Sequence, residues 1–404
     1  MPRDRTLAAV VAARFVSLTG TNMTTVALPW FVLATTGSTT KMGLVLACQT
    51  LPAFALGIPG GSVVAMLGAR RSLVLGDVLR APLLVAVPLL HSVGVLTFPA
   101  LLALVTVIGI FSVPYAAAAS SLLPEIVGED EREVARAQAA LQVAIQTTGV
   151  VGPVAAGVLI PLIGAPQLLF VDGASYAVSA AIVLALVRVG HAVPRAARRR
   201  GVLAGVRHVF EDSLLASIVT VGLVAHVGLA ALFASLPALA YRDFHDARSA
   251  GVLFTADAIG SIIGGLATLR LARRYSPLRL GIVGFGLMSA PIWLLTVATP
   301  LPLAVVVMFV FGIGGPLGVS PISALLTTRA PAEIRPQVVA AFLSITSAGT
   351  PLGAAVTGYA IAAVGFRTTY GGVAVAMTLS TLLLVWCVRR ASAAPDAAPA
   401  VNPS

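Results

Sequence analysis

Asp257 stands inside a long apolar run, with Ser261, Gly264 and Thr268 following it at helical spacing. If that run starts near residue 248 and crosses a bilayer, the carboxyl lies roughly 13 Å in, at 1.5 Å per residue. A charge at such depth costs about 2.5–3.5 kcal/mol. A carboxyl that is expensive to keep ionised suits a proton carrier. It equally suits an anchor for a cationic substrate, or a structural group bonded to a neighbouring helix. His226 also falls in an apolar run, and imidazole titrates near neutrality; its alternative role is packing. Asp172 lies near one end of its run, where capping competes with coupling. These three residues, Asp257, His226 and Asp172, are the coupling candidates.

Two stripes of neutral polar groups suit substrate contact. Gln138, Gln142 and Gln146 recur every four residues, on one helix face, and Gly149 and Pro153 continue it. Amides in a row are poorly placed against lipid, so they face a cavity or other helices, where such bonds are worth about 0.6 kcal/mol. Ser17, Thr21, Asn22, Thr24 and Thr25 form the second stripe. Asn22, Thr21, Thr25, Gln142 and Gln146 are the cavity candidates, with Trp30, Phe31, Tyr115, Phe233 and Phe311 as possible aromatic walls.

Short glycine- and arginine-rich stretches form a third class. Gly61, Gly68, Arg70 and Arg71 precede Asp77 and Arg80; Gly265, Arg270, Arg273 and Arg274 echo them. Such arginines can meet helix C-terminal carbonyls or a carboxylate, which would make a latch, or they can serve only as topology anchors.

The elements that must carry these residues are membrane helices. The chain has 404 residues, 58% hydrophobic and 10% charged, with a mean hydropathy of +0.99. A soluble protein would be about a quarter charged. Apolar runs of about twenty residues span a bilayer, and in lipid they must be helices. The expected spans are 7–34, 41–66, 72–91, 97–121, 137–163 and 166–188, then 213–240, 248–270, 276–297, 300–327, 336–364 and 367–389. That count places twenty-two of the twenty-six basic residues on one side; Lys41, Arg242, Arg248 and Arg367 fall on the other. The basic side is the cytoplasmic one, so both termini are expected there. The formal charge of +11 thus orients helices and does not imply nucleic acid. The start, Met1–Arg5 and the run behind it, is read as the first span rather than a signal peptide. Cys48 and Cys387 are far apart in sequence and are not expected to pair.

The expected organisation is a first six-helix unit (1–189), a cytoplasmic linker (190–212), a second six-helix unit (213–390) and a disordered tail (391–404). Within the linker, Leu203–Phe210 could form a surface helix with Val206, Val209 and Phe210 toward lipid. The halves repeat weakly: Gly152, Gly157 and Gly164 match Gly353, Gly358 and Gly365 at an offset of 201. Duplicated halves are a transporter design, with the substrate site between them. No phosphate-binding GxxxxGK[ST], HExxH, CxxC or GxSxG pattern occurs, so neither an enzyme nor a cofactor or metal site is expected.

With these residues the chain resembles the major facilitator superfamily over nearly its full length. Gly61, Gly68 and Arg70 hold positions of that family's loop between helices 2 and 3, although Ala65, Met66 and Ala69 depart from it. Gly152-Pro153-Val154-Ala155-Ala156-Gly157 is similar to the family's antiporter signature. The stretch from Val26 to Ser38 and the pair Asp77 and Arg80 look like the branch of macrolide and siderophore exporters. The resemblance implies an all-α membrane protein of twelve helices in two pseudo-symmetric bundles, a cavity lined by helices 1, 4, 7 and 10, and a latch at the Gly61–Arg80 region. It implies a secondary active transporter, with proton-driven efflux of small organic molecules expected. A proton-coupled importer and a non-transporting receptor are the alternatives. The expected partners are a small-molecule substrate, protons and the lipid bilayer of the plasma membrane, for a monomeric protein. Helix 4 departs from many proton-coupled exporters in carrying no arginine within the membrane.

Overall fold

The computed structural model describes residues 3–128, 131–187, 202–297, 299–329 and 335–393. They form α1 (Arg3–Thr36), α2 (Thr39–Leu67), α3 (Ala69–Ser92), α4 (Phe98–Val127), α5 (Glu131–Ile163), α6 (Ala165–Leu186) and α7 (Val202–Glu211). There follow α8 (Ser213–Leu239), α9 (Ala247–Leu271), α10 (Pro277–Ser289), α11 (Leu301–Arg329), α12 (Arg335–Ser347) and α13 (Gly349–Ala393). A π-helical turn, Ala240–Phe244, extends α8, and a 3-10 turn, Pro291–Thr296, extends α10.

Local chemistry sets the helix ends. Ser38, Asp212, Asp246 and Ser276 each accept a backbone N–H in the first turn of α2, α8, α9 and α10, as N-caps do. Gly68 joins α2 to α3 in one residue at φ 82°, and Gly365 breaks α13 in two at the same φ. Only glycine adopts that backbone freely. Pro291 ends regular α-helix at Ser289, and Pro351, which has no N–H, follows the break between α12 and α13. Nine segments of the described residues are long and apolar enough to cross a membrane; one of them, 344–389, contains the Gly365 break.

The helices pack as two groups. Among α1–α6, α1 lies against α5 and α6, α3 against α4 and α6, and α2 against α4. Among α8–α13, α8 lies against α13, α9 against α11, and α10 against α11. The groups meet chiefly through α5 on α9 and α2 on α13.

The core is not equally shared along the helices. At the end that carries the α1–α2 turn and Gly365, one continuous cluster takes residues from both groups, from Val26, Phe31 and Leu168 to Leu232, Leu253 and Tyr370. At the opposite end, near both termini, the core is two clusters. One holds Val10, Leu73, Leu122 and Leu141; the other holds Leu215, Ile218, Phe342 and Leu384. The groups are joined at one end and have separate cores at the other.

The linker differs from its expectation. Residues 190–201, including Arg198–Arg200, lie outside the described residues, as does the tail from 394; α13 continues to Ala393. The surface helix exists as α7, but Val209 does not face lipid. It is fully buried with Val338, Ala341 and Phe342 of α12, and Val206 packs beside it. Only Phe210 points away, 60% exposed. The apolar stripe that sequence assigns to lipid finds a protein partner instead.

Candidate translocation site

Three faces converge on the region between the groups. On α5, Gln142 and Gln146 are exposed on the same face as Pro153 and Gly157. Gly157 touches α9: a methyl group there would meet Gly251 Cα at 3.0 Å. Of the exposed valines of α5, Val151, Val154 and Val158 form a separate stripe about a third of a turn away at 3.6 residues per turn. Gln142 and Gln146 therefore belong to the face that meets the other group, but at the end where the two cores part. Gly152 serves a different contact. It lies against Asn22 and Thr19 of α1, so the Gly-Pro stretch brings α5 close to α1 and α9 at once.

On α9, the exposed apolar residues are Val252, Ile259, Ile262, Ile263, Leu266 and Leu269. At 3.6 residues per turn they centre on the side opposite Asp257. Asp257 is partly buried and has no hydrogen-bond or ion-pair partner among the described residues. Gly260 and Gly264 let α9 press its backbone on Phe309 and Ile313 of α11, and Ser261 Oγ donates to Gly312 O at 3.3 Å. One turn from Asp257, Phe254 stacks on Phe233 at 5.6 Å, and Phe311 meets Phe233 edge-on at 6.2 Å. Phe233 and Phe311 were named from the sequence as candidate aromatic walls; Phe254, three residues beyond Gly251, was not singled out.

On α1 the polar stripe divides. Asn22 Nδ2 donates to Thr148 Oγ1 of α5 at 3.1 Å. Thr25 is exposed and bonds its own helix at Asn22 O, 2.7 Å. Thr21 pairs with Tyr176 Oη at 3.0 Å, and Thr24 donates to Asp172 Oδ2 at 2.5 Å. So Thr25 faces the gap, while Ser17, Thr21 and Thr24 face into their own group.

That inward face meets a polar cluster which sequence reading left scattered. Arg80 and Asp77 lie in the interior of α3 rather than at its loop, paired at 2.5 Å. Arg80 Nε also donates to Gly76 O at 3.0 Å. Its guanidinium is 4.0 Å from the Tyr115 ring centre and 4.4 Å from that of Tyr176, within cation–π range. Asp172 is fully buried, accepting from Thr24 and, at 3.1 Å, from Ser175. It bonds hydroxyls, not the first amides of α6, so it is not a helix cap. Gly20 leaves room for it on α1.

The remaining candidates lie elsewhere. His226 Nδ1 sits 2.8 Å from Gly222 O of its own helix, beside a small pocket of about 50 Å³ that includes Phe285 and Met288. Arg70 Nη2 donates to Leu184 O near the end of α6, at 2.9 Å, and Arg71 is exposed. Arg270, Arg273 and Arg274 are exposed, with no side-chain hydrogen bond or ion pair among the described residues. Gly61 lies within α2 and Gly68 at its end. At the joined end, Trp30 of α1 meets Tyr241 edge-on at 5.3 Å, and Gly43 of α2 touches Gly358 of α13.

Comparison with known proteins agrees with this architecture. Residues 2–402 match the family described as transmembrane secretion effector. The chain is 27% identical over 380 residues to the multidrug efflux pump Tap of Mycolicibacterium fortuitum, covering 92% of each chain. Against Tap of Mycobacterium tuberculosis it is 25% identical over 393 residues, covering 93% of this chain and 92% of that one. The nucleoside transporter NupG superposes with a TM-score of 0.77 at 14% identity, covering 95% of this chain and 99% of that one. A bacterial homologue of the human lysosomal transporter Spinster, inward-facing and occupied, superposes with a TM-score of 0.78 at 16% identity, covering 96% and 97%. The chain belongs to the transmembrane secretion effector family of the major facilitator superfamily, and it is a multi-pass membrane transporter rather than an enzyme.

Proposed function

We propose that this transporter exports small apolar or weakly polar organic molecules by alternating access, driven by protons entering the cell. The observation that carries the reading is the split core: two clusters at the end bearing the termini, one shared cluster at the other. Gln142, Gln146 and Thr25 are exposed in the gap that this leaves. The Tap relatives are named as multidrug efflux pumps, which supports the outward direction.

In this reading α1 and α2 are spans too, 344–389 counts as two, and the chain crosses the plasma membrane twelve times as a monomer. Residues 1–189 and 213–390 are the two rocking units, joined by 190–212, with both termini cytoplasmic. The end with separate cores then opens to the cytoplasm, and the joined end is the outer one. Arg70 on the end of α6 is part of the cytoplasmic latch, with Gly61, Gly68, Arg71 and the counterparts Arg270, Arg273 and Arg274. Asp257, unpartnered beside Phe233, Phe254 and Phe311, admits cations alongside neutral molecules. The driving force suffices: one charge crossing 100 mV yields about 2.3 kcal/mol, and each pH unit about 1.4 kcal/mol. The test is uphill export of Nile red (neutral) and ethidium (cationic) from proteoliposomes under an imposed acid gradient. Movement of either dye that ignores the gradient refutes proton drive; uptake instead of export refutes the direction.

A further inference from the structure

The first group of helices buries two carboxyls and one guanidinium together. Asp77 and Asp172 are 0% exposed and Arg80 is 4% exposed. Arg80 pairs with Asp77 Oδ1, and Ser17 Oγ donates to the same oxygen at 3.4 Å. Among the described residues Asp172 receives only the two hydroxyls of Thr24 and Ser175, although an ionised carboxylate has about four acceptor sites. The other oxygen, Asp77 Oδ2, and Ser179 Oγ beside it are buried with no hydrogen-bond partner among the described residues. The ionisable groups facing the cluster are Arg14 from α1, Tyr115 from α4 and Tyr176 from α6. Arg14 stacks on Tyr115 at 4.9 Å and bonds neither carboxyl. With both carboxyls ionised, two carboxylates sealed from water would share the one guanidinium that bonds either of them, since Arg14 bonds neither, and a buried ion without its own partner is costly.

We propose that the Asp77–Arg80–Asp172 cluster is where the coupling proton binds, with Asp172 as its carrier. This rests on the reading of proton-driven export. When Asp172 holds the proton, Arg80 pairs with Asp77 alone, the arrangement seen here. When the proton leaves as H⁺, the Asp172 carboxylate and Asp77 compete for one guanidinium, and Arg80 ties α3 to α6. The link to substrate is α1. Thr24 bonds Asp172, and its neighbours Thr25 and Asn22 face the gap and α5. Proton release thus pulls on the helix that lines the substrate path.

Infrared spectra of the purified full-length protein across a pH series read the site directly, because a buried protonated carboxyl has its own C=O stretch. The wild-type band is expected to vanish in Asp172→Asn and to survive in Asp257→Asn, with amide bands confirming that both are folded. If Asp172→Asn does not fold, Asp172→Glu is expected to move the band. No such band in the wild type, or a band that neither Asp172 variant alters, overturns the assignment. In proteoliposomes, Asp172→Asn is expected to lose uphill ethidium export by at least about tenfold, the factor that one pH unit supplies, and to keep downhill ethidium exchange. Uphill export at the wild-type rate overturns the proposal. A wild-type protein that moves neither ethidium nor Nile red refutes the export reading, and the infrared result then decides the proton site alone.

Discussion

Two glycine contacts hold the joined end shut, the outer end in the proposed reading, and adding one methyl group to either is expected to open it. At Gly251 of α9 a new Cβ would sit 2.7 Å from Pro153 O and 2.8 Å from Gly157 Cα. Ordinary contact begins at 3.4 Å, so the pair falls short by about 0.7 Å. Both obstacles are backbone, which cannot rotate away. Overpacking of this kind costs about 1–3 kcal/mol. The cost applies to the outer-closed state and not to one in which α5 and α9 have parted. Gly251→Ala therefore shifts the balance toward the outer-open state by about 5- to 150-fold. The assay is labelling of Thr25→Cys by a membrane-impermeant maleimide from outside, in a background with Cys48 and Cys387 replaced. The labelling rate is expected to rise within that range. Gly265→Ala is the control, since nothing lies within 4 Å of its added methyl. No rise for Gly251→Ala, or an equal rise for Gly265→Ala, refutes the reasoning.

Three further outcomes are expected. Asp257→Asn should reduce ethidium export at least about tenfold, as loss of an unpaired charge contact of about 1.4 kcal/mol does, and leave Nile red export intact; equal loss of both dyes removes Asp257 from cation selection. Thr148→Val breaks the bond from Asn22 at a cost of only about 0.6 kcal/mol, so the midpoint of thermal unfolding should barely move. Val209→Asp places a polar group in the fully buried contact of α7 with α12, at a cost of about 2 kcal/mol or more; faster proteolytic cutting in the linker before Val202 reads the release of α7, and an unchanged rate counts against that contact.

The helices were legible because hydropathy and loop glycines are local signals. Gly68 and Gly365 mark turns from sequence alone, and the amide stripe of α5 announced its face through spacing. What was not legible depended on which faces meet. Val206 and Val209 read as lipid-facing because an apolar stripe says only that it must be covered, not by what; α12, more than a hundred residues away, covers it. Asp172 stood out as a charge in an apolar run, whereas Asp77 and Arg80 were read with the loop arginines, and nothing in their spacing joins α3 to α6. The absent arginine of helix 4 argued against a relay in the first group. The structure lays Arg80 of α3 against α4 instead, with its guanidinium on the Tyr115 ring and Nη1 3.5 Å from Ser112 Oγ.

The internal repeat acquires a mechanical meaning from the same contacts. Gly157 and Gly358 correspond at the offset of 201, and each touches a glycine of the opposite group: Gly251 for the first, Gly43 for the second. The partners begin helices that are both capped from one residue outside, α2 by Ser38 and α9 by Asp246. Two related crossings therefore close the joined end, where Trp30 also meets Tyr241. A rocking motion about the midplane must part both at once, because each group is braced internally, the first by its buried charge cluster and the second by the glycine packing of α9 on α11. If they part together, Gly43→Ala should open position 25 to the outside as Gly251→Ala does. Its added methyl would meet Gly358 Cα at 2.7 Å, almost the same misfit. The double variant should then exceed either single one, since well-separated sites add. A Gly43→Ala protein that stays closed would mean that the two crossings move independently, and that the units do not turn as rigid bodies.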